Sequence, residues 1–208
     1  MQTAEAQPQF DYWKGVAPTT TKDHFRRWLF AYASVHSTWK SNVRTYNAIK
    51  DLGWISDPYL LWSTLMDSRG GLYNDRAKTI WKFKEQFFRN PEFFTRRGDE
   101  TWPQARDRIA AGISGLGPAK TSFALELCFP LEAEVVCLDV HMLRLYGKAE
   151  MNGRSGKKFL AEYRAMEKDW VGRSLRNQVP SYVSRCIYWD TLMKQPDSRY
   201  WSHCLENN

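Results

Sequence analysis

The chain has 208 residues, 43% of them hydrophobic, enough to bury one substantial core or two small lobes sharing a cleft, and this excludes a disordered tail. No charged-then-apolar leader opens it and no apolar run reaches the length of a bilayer span, so a soluble intracellular protein without a membrane partner is expected. Thirty Lys and Arg against 23 Asp and Glu give a formal charge of +7, which suits a polyanionic partner.

Residues 1–19 lack periodicity and read as an extended N-terminal arm, with Tyr12 and Trp13 as anchors. Thr21-Lys22-Asp23 offers an N-cap to a helix whose Phe25, Trp28, Leu29 and Tyr32 share one face. A second helix is expected from Trp39 to Leu52, closed by Gly53. Asp57-Pro58 starts a third, with Leu60, Leu61, Thr64 and Leu65 inward, and Arg69-Gly70-Gly71 breaks it. Leu72 to Ala77 opens a long helix whose stripe is Ala77, Ile80, Trp81 and Phe87 or Phe88, and Pro91 stops it. Further helices are expected from about Pro103 to Gly112, Thr121 to Cys128, Asp139 to near Gly147, Lys157 to Trp170 and Pro180 to Lys194. Leu131 to Leu138, with Val135 and Val136, reads as an extended connector. No strand-period run competes, so the fold class is all-α.

Between two of these helices lies Ile113-Ser114-Gly115-Leu116-Gly117-Pro118-Ala119-Lys120-Thr121. Two glycines around one aliphatic residue let the backbone turn sharply and approach a ligand, and Pro118 suits a first helical position. The open helix N-terminus behind them faces an anion. A tight interhelical turn is the plainer reading of Gly-x-Gly alone. Asp139 follows Lys120 by nineteen residues, within Leu138-Asp139-Val140-His141-Met142. A carboxylate at a helix mouth can stabilise developing positive charge or deprotonate an attacking amine or water, and it can equally serve as an N-cap.

Charge is distributed around this segment. Arg69 to Arg108 carries ten basic against six acidic residues and Arg154 to Arg176 seven against three, so the basic excess flanks the hairpin and would track a phosphate backbone. Solvated helix faces are the competing reading. Cys128, Cys137, Cys186 and Cys204 show neither CxxC pairing nor regular spacing, and read as free thiols in a reducing compartment.

Three pieces, in order, resemble the helix-hairpin-helix superfamily of DNA glycosylases that includes endonuclease III and 8-oxoguanine glycosylase. Gly71-Leu72-Tyr73-Asn74-Asp75-Arg76-Ala77 looks like a helix start of endonuclease III, Gly115-Leu116-Gly117 like the hairpin, and Leu138 to Met142 like the segment with the catalytic aspartate. The matched region spans roughly residues 60–147. The resemblance implies a two-lobed unit over 20–208, with a lobe of about 39–147 containing the hairpin 113–121, a second lobe of 20–38 plus 148–208, and the active site between them. It implies a monomer on double-stranded DNA, at the nucleoid or in the cytoplasm, or in the nucleus of a eukaryote.

In that frame Asp139 is catalytic and Lys120 is a Schiff-base nucleophile for associated strand cleavage, which requires a depressed lysine pKa. Family members with such a lysine place it two residues after the second glycine, where Ala119 stands here; either the hairpin is one residue longer or the nucleophile is missing. Gly115, Leu116, Gly117, Ala119, Thr121, His141 and Arg144 are the expected DNA contacts, with a structural role open for His141 and an ion-pair role for Arg144. A monovalent cation at the hairpin is implied, and no other cofactor: Cys186 and Cys204 cannot supply an iron-sulfur cluster. Base flipping suits the ten Trp, ten Tyr and eleven Phe, although core packing is the ordinary role of each. The Asp-Val-His-Met segment favours an oxidised purine such as 8-oxoguanine. The alternatives are a monofunctional enzyme for another modified base, a non-catalytic hairpin clamp on DNA, and a helical interaction domain without nucleic acid.

Overall fold

The computed structural model describes residues 3–193, and over these the chain is helical with no strand. In order come α1 (Thr3–Gly15), α2 (Thr21–Ala33), α3 (Trp39–Ile49), α4 (Pro58–Asp67), α5 (Tyr73–Arg89), a 3-10 turn (Pro91–Phe94), α6 (Trp102–Gly112), α7 (Pro118–Cys128), α8 (Val140–Leu145), a second 3-10 turn (Ala149–Met151), α9 (Lys157–Arg176) and α10 (Ser181–Met193). The all-α expectation holds. None of these helices is long and apolar enough to cross a membrane.

Local chemistry sets most of the helix starts, because the first N–H groups of a helix lack intrahelical partners. Thr20 Oγ1 accepts from the Asp23 amide ahead of α2, and Asp57 Oδ1 accepts from Tyr59 and Leu60 ahead of α4, where Pro58 occupies the first turn. Thr101 and Gln104 close a reciprocal capping box on α6. α7 and α9 begin on a glycine, and α5 on Leu72, without any side-chain cap.

The core is aromatic. Phe25 stacks on Phe83 at 5.1 Å, Trp28 meets Phe94 at 5.2 Å and Tyr32 meets Phe83 at 4.7 Å, so the stripe of α2 locks into that of α5. Phe87 is buried while Phe88 is 46% exposed, and Leu60 points outward on α4. α2 packs on α3, α5 and α7. Two apolar clusters result. A large one draws on α1 to α7 and α10, and a small one gathers Val136, Leu138, Met142, Leu143, Met151, Tyr163, Met166 and Trp170.

Residues 3–15 are helical, which corrects the extended arm. Pro8 interrupts the sequence and no clean apolar stripe marks it, so the helix owes its place to packing on α10. Trp13 is the buried anchor, its ring 4.7 Å from that of Tyr182. The ninth helix also runs on past Trp170 to Arg176. Cys128, Cys137 and Cys186 carry free thiols, and Cys204 and Lys194 lie outside the described residues.

The approach to α6 is held by one ion pair. Arg108 donates to both carboxylate oxygens of Glu100 and to the carbonyls of Phe93 and Thr95. These hydrogen bonds from Arg108 hold the Glu100 carboxyl down at about 2. Its contribution to stability is therefore present above the ordinary glutamate range and is lost as pH falls towards 2. Glu100→Gln is expected to cost about 1 kcal/mol at neutral pH, the pair being partly screened, and the gap from wild type should close on acidification. Urea titrations at stepped pH check this, and a gap that persists at pH 2 would contradict it.

Candidate functional site

Leading out of α6, Ile113 is extended, Ser114 O accepts the Tyr32 hydroxyl at 3.0 Å and Gly112 O accepts Gln86 Nε2 at 3.1 Å. Gly115 has φ +90° and lies so close to α5 that a Cβ would sit 2.8 Å from Thr79 Cβ, so no side chain fits there. Leu116 is 5% exposed and plugs the hairpin into the large cluster, which leaves Gly115 and Gly117 facing solvent. Of Leu116 only the backbone remains available. The amides at the start of α7, uncapped by any side chain, open beside Gly117.

The next residues separate by helical phase. Ala119 packs against both clusters, and half-buried Lys120 reaches over the Phe123 ring, its Nζ 5.5 Å from the centroid. Thr121 is fully buried and its amide already donates to Gly117 O, so it is withdrawn from the expected DNA contacts. From Thr121 to Cys128 every residue of α7 is buried.

The connector that delivers Asp139 runs between the two clusters. Ala133, Val135 and Cys137 face the large one while Val136 and Leu138 face the small one, the alternation of an extended chain. It pairs with no strand, so side chains satisfy its buried backbone groups. The Val136 amide donates to Glu167 Oε1 at 3.2 Å and the Cys137 amide to Glu126 Oε1 at 3.2 Å. The Tyr163 hydroxyl donates to Val136 O at 2.6 Å and accepts from the Leu138 amide at 3.4 Å. Ser181 Oγ lies 2.8 Å from Ala133 O and 3.0 Å from Val135 O.

Both carboxylates are held by buried guanidinium groups. Arg106 of α6 meets Glu167 of α9 at 2.9 and 3.1 Å, and Arg185 of α10 meets Glu126 of α7 at 2.9 and 2.7 Å. Burial pushes the Glu126 carboxyl up to about 7 against the pull of Arg185, whereas the two-pronged contact is that of an ionised pair. The contact geometry decides for the ionised pair, and the Glu126 carboxylate in turn holds Arg185 well above its ordinary value despite burial.

Asp139 ends the connector. Its Oδ1 accepts from the amides of His141 and Met142, both at 3.0 Å, so it caps α8 as one reading of the sequence expected. Oδ2 has no protein partner among the described residues, and the side chain is half-buried. Asp139 and Lys120 both act electrostatically on the Cys137 thiol, which burial pushes up to about 12. The fold thus brings the two charges to one neighbourhood. His141 meets the Trp189 ring edge-on at 4.7 Å, and Arg144 is exposed on the last turn of α8.

Two sets of residues escaped the sequence reading. Arg106, Ser122, Glu126, Tyr163, Glu167 and Arg185 looked like ordinary helix residues; the available signal was Ser122 and Glu126 inside an otherwise apolar helix. The other is Leu72, 48% exposed with φ +52° directly after Gly71 at φ +74°. A leucine in that region is strained. Arg76 holds the turn by donating to the carbonyls of Gly70, Gly71 and Val35, each at 2.6 Å.

Neither a family model nor a curated protein sequence matches the chain. Solved structures do. The 8-oxoguanine DNA glycosylase of Methanocaldococcus jannaschii superposes with a TM-score of 0.69 at 18% identity, over 88% of this chain and 82% of that one. The 8-oxoguanine DNA glycosylase of Thermotoga maritima gives 0.67 at 16% identity, over 90% and 88%. The chain therefore has the helical fold of these enzymes, in agreement with the helix-hairpin-helix glycosylase resemblance of its sequence.

Capping and chemistry at Asp139 are separable. Asn also caps helices, so Asp139→Asn is expected to keep wild-type stability to within about 0.5 kcal/mol, while Asp139→Ala loses about 1 kcal/mol. Chemical denaturation measures both, and equal losses in the two variants would rule out the cap as the cause.

Proposed function

We propose that this chain is a DNA glycosylase that flips a damaged or modified base out of double-stranded DNA and cleaves its N-glycosidic bond. An oxidised purine such as 8-oxoguanine is the favoured substrate, as for the enzymes whose fold it shares. The observation that carries the reading is Asp139: a half-buried carboxylate with Oδ2 unengaged, within electrostatic reach of the same buried Cys137 thiol as Lys120, on a connector that runs from the hairpin helix. A phosphate would be gripped by the amides around Gly115 and Gly117, with Ala119, His141 and Arg144 alongside.

As the glycosidic bond breaks, the base leaves with the bonding electron pair and takes up a proton, and positive charge builds on the sugar. Asp139 stabilises that charge. In the bifunctional form the neutral amine of Lys120 attacks C1′ and a C–N bond replaces the glycosidic bond; the nitrogen then gives up a proton, the C1′–O4′ bond opens with O4′ taking up a proton, and the resulting Schiff base permits strand cleavage by elimination. The placement of Lys120 over Phe123, next to Ala119, favours a second reading in which Asp139 activates a water and the product is an abasic site. A monovalent cation would rest on hairpin carbonyls; those of Gly112 and Ser114 are engaged by Gln86 and Tyr32 and that of Gly117 by the Thr121 amide, which leaves Ile113, Gly115 and Leu116, and no chemical step passes through it.

Flipping leaves a gap in the stack, and exposed, strained Leu72 at the head of the helix that supports the hairpin suits the wedge. Leu72→Ala is expected to weaken base extrusion, read as a smaller rise in 2-aminopurine fluorescence on binding; an unchanged rise would remove Leu72 from that role.

Duplexes that each carry one lesion, treated with hot alkali or borohydride, test the reaction. Alkali-dependent cleavage is expected from wild type and lost by at least about a hundredfold in Asp139→Asn. A borohydride-trapped adduct absent in Lys120→Gln identifies the bifunctional enzyme, and excision retained without an adduct identifies the water route. No excision of any lesion, with DNA binding intact in both variants, would replace the enzyme by a hairpin clamp.

A further inference from the structure

We infer that Glu126 is a positioning residue that sets Asp139 relative to the head of α7; its effect on a reaction rests on the glycosylase reading. The first turn of α7 carries Lys120 and adjoins Gly117, and the same helix carries Glu126, with 0% exposure, to the connector. Glu126 Oε1 is shared between Arg185 Nε at 2.9 Å and the Cys137 amide at 3.2 Å. Asp139 stands two residues further on, and its own amide donates back to Cys137 O at 3.0 Å. The path from the hairpin helix to the carboxylate is therefore short and rigid: Glu126, Cys137, Asp139, each joined by a hydrogen bond.

A buried ion pair adds little net stability compared with apolar residues of the same shape, so stability alone is a weak reason for Glu126 and Arg185. Direction is a better one. Arg185 is itself 5% exposed, lies against the faces of Phe123 and Tyr182, and has no freedom to follow a displaced carboxylate. It aims Glu126 Oε1 at one amide, and that amide fixes the register of the connector. A slip of one residue would exchange the side chains facing the two clusters and turn Asp139 away.

The test removes the acceptor and the charge separately. Glu126→Leu with Arg185→Met deletes the pair as a unit and leaves the Cys137 amide without an acceptor. Glu126→Gln keeps one acceptor oxygen for the Cys137 amide at the same reach, and loses the charge together with the second oxygen that accepts from Arg185 Nη2. On a duplex that wild type processes, single-turnover base release should fall roughly ten- to a hundredfold in the double variant at unchanged duplex Kd, and stay within about threefold in Glu126→Gln. Amide hydrogen exchange at Cys137 and Asp139 should quicken by at least about tenfold in the double variant while α7 stays protected. A folded double variant with wild-type release and wild-type exchange overturns the proposal, as does a folded Glu126→Gln with release lost a hundredfold. If the double variant does not fold, Glu126→Gln decides on the same two readouts: retained release and exchange support the proposal, and their loss overturns it. Wild type that excises nothing sinks the glycosylase reading instead, and the exchange measurement, which needs no activity, still judges the role of Glu126.

Discussion

A buried extended segment outside any sheet must find hydrogen-bond partners for its backbone elsewhere, and the architecture turns on how residues 133–138 do so. Helices satisfy their own backbones, but this segment cannot, and it runs through the interior between two apolar clusters. Four helices answer it. Glu167 and Tyr163 reach it from α9, Glu126 from α7 and Ser181 from α10, while Arg106 of α6 holds Glu167 in place. An amide buried without a partner would cost on the order of 1–3 kcal/mol, so each of these side chains matters to the segment. The result is a wall whose two faces belong to different cores and whose end is Asp139.

The same constraint explains α7. A helix buried along Thr121–Cys128 would be expected to carry only apolar side chains, yet it holds Ser122 and Glu126. Both engage their surroundings: Ser122 lies between Arg106 and Tyr163, and Glu126 links Arg185 to the connector. Its N-terminus, in contrast, carries no side-chain cap and is bordered by two solvent-facing glycines. One helix thus leaves backbone amides uncapped at its exposed end and holds the connector to Asp139 from its buried body. That division follows from length: eleven residues, at about 1.5 Å each, span the distance from surface to core.

The abundance of aromatic residues has a structural use first. Phe25, Trp28, Tyr32, Phe83, Phe87 and Phe94 form one interlocked group between α2, α5 and the first 3-10 turn, with ring separations of 4.7 to 6.2 Å along its contacts. Such pairs add to the burial of apolar area and define a rigid scaffold behind the hairpin, where Tyr32 also reaches Ser114 O. Trp189 meets His141 edge-on at the start of α8, two residues after Asp139. Composition alone had no means of telling these two uses apart.

Helix identity was legible in the sequence because it rests on local chemistry. Asp57 and Asp139 act as caps from their own immediate neighbourhood, Thr20 caps α2 one residue before the expected Thr21, Gly70 and Gly71 break the chain where they stand, and the apolar period of α2 and α5 follows from 3.6 residues per turn. The hairpin was equally legible, since Gly115 needs its positive φ whatever surrounds it. The first helix was not, because α10 stabilises it from the far end of the chain. Nor was the burial of Thr121, or the union of α2 with α5, or the partnership of Glu126 with Arg185, 59 residues apart. Charges in a sequence carry no label of depth. Which of them stay in water and which hold a connector in place is settled only when helices distant in sequence pack together, because burial is a property of the assembled core and not of any segment within it.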